Sequence, residues 1–345
     1  MKLTLSNQLN NAFTIFLSLL VEAMPFLLLG VLLSGLLLLF IDERKLIAAM
    51  PRNPILGAFV GSCVGFLFPV CECGNVPVAR RILMQGAPLP VAVSFLLAAP
   101  TINPIVIWST WVAFRDQPEI VVLRVVFSLA IATIIGCVFS VQKDLRPILQ
   151  TAVARSVPQP VAVDKAPIKD QTLALLESGS FLLGGTGKPI RMDNTVLQAS
   201  LAASTAKKPL SYRLSLLLEN TVQELRELGG VLILGSAIAA TVQVIVPREA
   251  ILSLGMSPVT SILAMMLLAG LVSICSTVDS FFALSFASTF TSGSLLAFLV
   301  FGPMIDLKGI GLMLSIFRPR AVIFLFALAA QLTFLLTLFI NLYVS

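Results

Sequence analysis

Ten apolar runs constrain this chain more than any other feature. They fall at about 11–40, 54–70, 75–87, 88–114 and 119–141, then at about 213–246, 258–276, 279–293, 294–317 and 319–343. Inside hydrocarbon no water satisfies backbone N–H and C=O groups, so spanning segments must bond internally. The chain is 57% apolar and 12% charged, against about 25% charged in a soluble domain. It therefore reads as an all-α polytopic membrane protein. The tracts continue to the last residues, which fits neither an outer-membrane barrel nor a soluble receptor domain. The first run, about 30 residues, is too long for a signal-peptide core.

Residues 142–212 interrupt the pattern. They are polar, carry Pro158, Pro160 and Pro167, and include a Ser/Gly-rich run from Gly179 to Gly187. This is the composition of a flexible linker. The expected organisation is a first transmembrane repeat at 1–141, a cytoplasmic linker at 142–212 and a second repeat at 213–345.

The two halves match at an offset of about 204 residues. Glu22 precedes Gly30 as Glu227 precedes Gly235, and Pro54 meets Pro258. Cys71 meets Cys275, and Asn75 meets Asp279. Ala99-Pro100-Thr101-Ile102-Asn103 parallels Gly302-Pro303-Met304-Ile305-Asp306. Internal duplication is the usual construction of secondary transporters. About five segments per half gives eight to ten crossings. Five is odd, so the halves are expected to be inverted, with broken helices at their interface. Lys143, Arg146, Lys207, Lys208 and Arg213 flank the linker and place it in the cytoplasm. Five crossings per half put Arg44, Lys45, Arg52, Arg318 and Arg320 on that side too. The third segment of each half is short for a span of about 20 residues, so it either spans as a half-helix or re-enters.

Composition removes several functions. No His is present, which excludes His-ligated haem, a His-containing zinc site and the usual near-neutral proton carrier. Five cysteines, an odd number scattered through apolar tracts, give no disulfide framework. No Walker motif occurs, and no enzyme, cofactor or resident metal is expected. The net charge of +6 reads as topology bias rather than a nucleic-acid surface.

The chemistry concentrates at the breaks. Pro69-Val70-Cys71-Glu72-Cys73-Gly74-Asn75-Val76-Pro77 places thiols, a carboxylate and an amide where Pro and Gly interrupt a helix. Non-helical backbone at membrane depth survives only in protein or beside a cavity. Polarizable sulfur suits soft, thiol-reactive species. Cys71, Cys73, Asn75, Asn103, Cys275, Asp279 and Asp306 are the candidate substrate-binding residues. A charge beside Phe281 and Phe282 is costly, which makes Asp279 a candidate proton carrier or helix cap. Glu22, Glu72 and Asp279 are the candidate coupling residues. Arg80 and Arg81 read as surface anchors, Lys308 as a local partner of Asp306, and Cys63 and Cys137 as core residues.

These motifs resemble the predicted-permease family that includes the organoarsenical efflux permeases (ArsP-type). The resemblance rests on Cys71-Glu72-Cys73-Gly74-Asn75-Val76-Pro77, on Gly86 with Ala98-Ala99-Pro100-Thr101-Ile102-Asn103-Pro104, and on Cys275-Ser276-Thr277-Val278-Asp279 with Phe301-Gly302-Pro303-Met304-Ile305-Asp306. It covers both halves and not the linker. It implies transport across the inner (plasma) membrane; only some members are tied to trivalent organoarsenicals. The expectation is a multi-pass permease exporting a soft or thiol-reactive small solute, coupled to an ion gradient. Its partners are that small-molecule or ionic substrate and the lipid bilayer, with no nucleic acid. Two other readings stay open: a membrane thiol-redox or metal-relay protein using Cys71 and Cys73, and a passive channel.

Overall fold

The computed structural model describes residues 2–40, 51, 53–67, 71–84, 86–141, 148–150, 153, 181–183, 189–191, 210–245, 257–287 and 289–343. Arg44, Lys45, Arg52, Lys143, Arg146, Lys207, Lys208, Pro69, Val70 and most of the linker lie outside these residues. The first half runs α1 (Lys2–Phe40), α2 (Pro54–Val64) with a 3-10 turn Gly65–Leu67, α3 (Glu72–Met84), α4 (Leu89–Ile102), α5 (Pro104–Ala113) and α6 (Pro118–Ser140). A short antiparallel hairpin of β1 (Phe181–Leu183) and β2 (Pro189–Arg191) falls in the linker. The second half runs α7 (Leu210–Ile245), α8 (Pro258–Val272), α9 (Asp279–Leu284), α10 (Ser292–Met304), α11 (Leu307–Met313) and α12 (Pro319–Tyr343). The order of elements is thus the same in both halves.

The breaks are written in local chemistry. Pro54, Pro104 and Pro258 each open a helix, where the missing N–H costs nothing. Asn53 caps α2 and Ser257 forms a capping box with Thr260 on α8. Asn103 and Asp306 cap α5 and α11: Asn103 Oδ1 accepts from the Val106 amide at 2.9 Å, and Asp306 Oδ1 from the Gly309 amide at 2.6 Å. Ser273 ends α8 at φ 49°, a left-handed conformation that non-glycine residues rarely adopt.

Among the described residues, six stretches are long and apolar enough to cross a membrane: α1, α4–α5, α6, α7, α10–α11 and α12. The sequence reading of eight to ten crossings also counts the second and third segments of each half, whose helices are shorter. At 11 residues α2 rises only about 17 Å, against about 30 Å of hydrocarbon. The second and third segments of each half instead form a re-entrant hairpin. Gly57 lies against Val91 and Gly65 against Ala99, so α2 runs parallel to α4. Both start at one face, and α3 must return to it. In the second half the Asn341 side chain bonds the Pro258 carbonyl at 3.3 Å and the Gly293 amide at 3.1 Å. The starts of α8 and α10 are therefore side by side at the end of α12, and α9 returns to that face.

The two hairpins enter from opposite faces. Ser62 meets Thr133 at 3.3 Å and Ala58 lies against Gly136, so α6 runs back antiparallel to α2 and ends at the face where the first hairpin enters. Three crossings per half put the next hairpin on the other side. The Gln150 amide bonds the Ile316 carbonyl, and the Arg318 amide the Ile148 carbonyl, both at 2.8 Å. This fastens the chain after α6 to the chain before α12 at what we term the linker face. Residues 148–150 therefore belong to the packed body, although the sequence placed them in the flexible linker, and α7 starts inside that range at Leu210. Strand-like pairing to Phe317 satisfies their backbone groups.

The central pair is α4 and α10, every residue of α4 being buried. A side chain on Gly61 would collide with the backbone of Val91, and one on Gly65 with that of Ala99. Gly57, Gly61 and Gly65 repeat every four residues, the spacing that lets membrane helices approach backbone to backbone. Gly61→Leu is expected to separate α2 from α4 and cost about 1–3 kcal/mol or more, measured as a lowered midpoint of thermal unfolding in detergent. An unchanged midpoint would count against the hairpin seat. Lipid-facing side chains such as Trp108, Leu234, Leu263 and Phe339 are exposed, as a bilayer solvent requires.

Candidate functional site

The tips of the two hairpins meet. Cys71 precedes α3 and Cys275 lies in the turn after Ser273, and their thiols lie close to each other. The Cys71 thiol, Glu72 carboxylate and Cys73 thiol lie within 4.8 Å of one another. All three cysteines are buried, and Thr277 Oγ1 donates to Cys275 Sγ at 3.5 Å. The sequence match between Cys71 and Cys275 thus becomes a contact, because hairpins entering from opposite faces can touch only at their tips.

Around the thiols sits a charge cluster. Lys308 Nζ lies 3.8 Å from Glu72 Oε1 and 3.9 Å from Asp306 Oδ2. These spacings exceed a direct charge-assisted bond of about 2.7–2.9 Å. Lys308 is 1% exposed, so it is no mere local partner of Asp306: it ties α3 of the first half to α11 of the second. Glu22 on α1 and Cys73 on α3 lie near it. Glu72 Oε2, Asp306 Oδ2 and both amide atoms of Asn75 are buried without a hydrogen-bond partner. Such groups are costly in a dry interior. Gly30 seats α3, its Cα facing the Gly74 backbone with no room for a side chain, and Gly235 seats α11 beside Lys308.

Asp279 belongs to a second cluster. It is not a helix cap, since Val278 occupies that position with no side-chain bond. Its carboxylate accepts from both ends of the Arg124 guanidinium, Nη2 to Oδ2 at 2.6 Å and Nη1 to Oδ1 at 3.1 Å. Arg124 Nη1 also donates to Thr110 Oγ1 at 2.8 Å and Ser280 Oγ at 2.9 Å. Arg124 is 1% exposed. A lone arginine in the apolar run 119–141 is itself the signal for this cluster, because intramembrane charges are rare and paired.

The seven substrate candidates therefore divide. Cys71, Cys73, Cys275, Asp306 and, on the same face of α3 as Glu72, Asn75 surround the hairpin tips. Asp279 sits with Arg124. Asn103 caps α5 and donates to the Ala99 carbonyl at 3.3 Å. Arg80 and Arg81, read as surface anchors, instead pair across the halves: Arg80 with Glu227 at 3.0 Å, and Arg81 with Glu224. Cys63 is exposed and Cys137 half-buried, so both face lipid rather than the core.

A family model described as predicted permease (ArsP_1) matches residues 8–342. The chain belongs to the predicted permease family. The permease is 38% identical over 318 residues to UPF0718 protein YcgR of Bacillus subtilis (strain 168), with 92% of each chain covered. It is 33% identical over 309 residues to a putative two-component membrane permease complex subunit of Streptococcus mutans serotype c, covering 90% of this chain and 88% of that one. No solved structure gives a significant match. The permease is accordingly a multi-pass membrane protein.

Proposed function

We propose that the permease exports a soft, thiol-reactive small solute, of which a trivalent organoarsenical is the representative, across the plasma membrane. The observation that supports this most is the meeting of Cys71, Cys73 and Cys275 at the hairpin tips. Soft sulfur ligands from both halves, Cys71 with Cys73 on one hairpin and Cys275 on the other, form a buried site whose occupancy depends on how the halves sit. The linker face is the cytoplasmic one in this reading, since Arg80, Arg81, Arg318 and Arg320 gather toward it.

Coupling to an ion gradient falls to Glu72 rather than Asp279, because Asp279 is already neutralised by Arg124 while Glu72 has one unpartnered oxygen. The test is flux of phenylarsine oxide in everted vesicles, with and without a proton gradient. Gradient-dependent, saturable accumulation is expected, and Glu72→Gln is expected to abolish its dependence on the gradient. Flux that neither saturates nor responds to the gradient would favour a channel. Thiol oxidation with no flux would favour a redox protein. The Streptococcus mutans relative is named as a complex subunit, and a second protein component is proposed for this permease too.

A further inference from the structure

Besides the Lys308 cluster at the tips, three ion pairs of the described residues fasten a hairpin to the opposite half, on opposite sides of the tips. On the linker side, α3 is held by Arg80 to Glu227 and by Arg81 to Glu224, both acids on α7. On the far side, α9 is held by Asp279 and Ser280 to Arg124 on α6 and, through Ser280 at 3.0 Å, to Thr110 on α5. The thiol contact of Cys71 and Cys275 lies between the two clusters.

We propose that these clusters are two gates: Arg80 and Arg81 with Glu224 and Glu227 close the thiol site toward the linker face, and Arg124 with Asp279 closes it toward the opposite face. The proposal rests on the permease reading and adds how its site is reached. With both gates shut, this structure is the occluded form.

Three observations carry it. First, every one of these pairs joins the two halves. A pair within one half would move with that half and gate nothing. Second, each gate lies between the tips and one face. Asp279 stands four residues beyond Cys275, on a helix running away from the linker face, while Arg80 and Arg81 lie on α3 as it runs toward that face. Third, the gates differ in solvation. The Arg124 and Asp279 side chains are 1% and 3% exposed, whereas Glu227 is 49% exposed. Exposed ion pairs hold weakly, whereas breaking one partner of a buried pair is strongly unfavourable. Arg80 with Glu227 is therefore the pair that opens more readily at rest, while Arg81 with Glu224, at 3% and 12% exposed, holds more firmly.

The test uses the native thiols as reporters, in a Cys63→Ala/Cys137→Ala background reconstituted with known orientation. A membrane-impermeant maleimide is added from one face at a time, and no transported solute is needed. Arg124→Gln/Asp279→Asn removes both charges and leaves no unpaired one. It is expected to raise labelling from the face opposite the linker by at least about tenfold, by shifting the population of the open form. Glu224→Gln/Glu227→Gln is expected to raise labelling from the linker face only. The charge-swapped Arg124→Asp/Asp279→Arg should restore protection, and a merely structural role for the pair would have exposed the thiols from both faces alike in the first variant. If the first variant fails to insert, Thr110→Ala/Ser280→Ala loosens the Arg124 cradle without altering charge and should label from the same face. Labelling of both gate variants from one face, or no gain in either, overturns the gates. Correct sidedness without arsenical flux overturns the proposed solute and leaves the gates standing.

Discussion

Replacing Arg124 with leucine is expected to cost the folded permease about 3–5 kcal/mol. The guanidinium is fully enclosed and supplies both hydrogen bonds that reach the Asp279 carboxylate from another helix. Its removal strands a carboxylate that is 2% exposed. Thr110 and Ser280 lose their shared donor at the same time. Neither water nor lipid can replace those bonds at that depth. The double variant Arg124→Leu/Asp279→Leu should recover most of the loss, since a buried pair exchanged for apolar groups is often neutral. Thermal unfolding of the detergent-solubilised protein measures both. A double variant as unstable as the single one would show that the pair is not the cause.

The second large effect is on binding. Cys71→Ser and Cys275→Ser are each expected to weaken phenylarsine oxide binding at least about 10–100-fold, the loss typical of disturbing even an indirect partner at a soft-ligand site. Serine preserves size and hydrogen bonding but replaces polarizable sulfur with hard oxygen. Each thiol comes from a different hairpin, so loss of either leaves the solute held by one half alone. Cys63→Ser is the control, because Cys63 is exposed on the lipid side. Titration calorimetry on the purified permease reads the affinities. Equal binding by wild type and Cys71→Ser would remove the thiols from the site.

Much of the site was legible before any fold was considered. Pro104 and Pro258 mark helix starts, and the repeat offset paired Cys71 with Cys275 and Asn103 with Asp306; Gly74 and Pro77, read as part of a break, instead lie inside continuous α3, as Pro100 and Pro303 lie inside α4 and α10. The short third segments were visible as lengths that fall short of the hydrocarbon thickness, whereas the second segments read as crossings. Other features were not legible. Arg124 and Asp279 lie 155 residues apart, and no local pattern selects one ion-pair partner over another at that distance. Lys308 sits two residues from Asp306, so proximity in sequence concealed its reach to Glu72.

The sequence by itself determined a polytopic helical membrane protein, its two matching halves and the residues at its breaks, because hydrophobic length and backbone chemistry act locally. Only the tertiary structure decided that the second and third segments turn back as hairpins. The close approach of Gly57, Gly61 and Gly65 to α4 fixes that direction. It likewise decided which charges meet, since the energy of a buried ion pair depends on distance in space and on the loss of water around it.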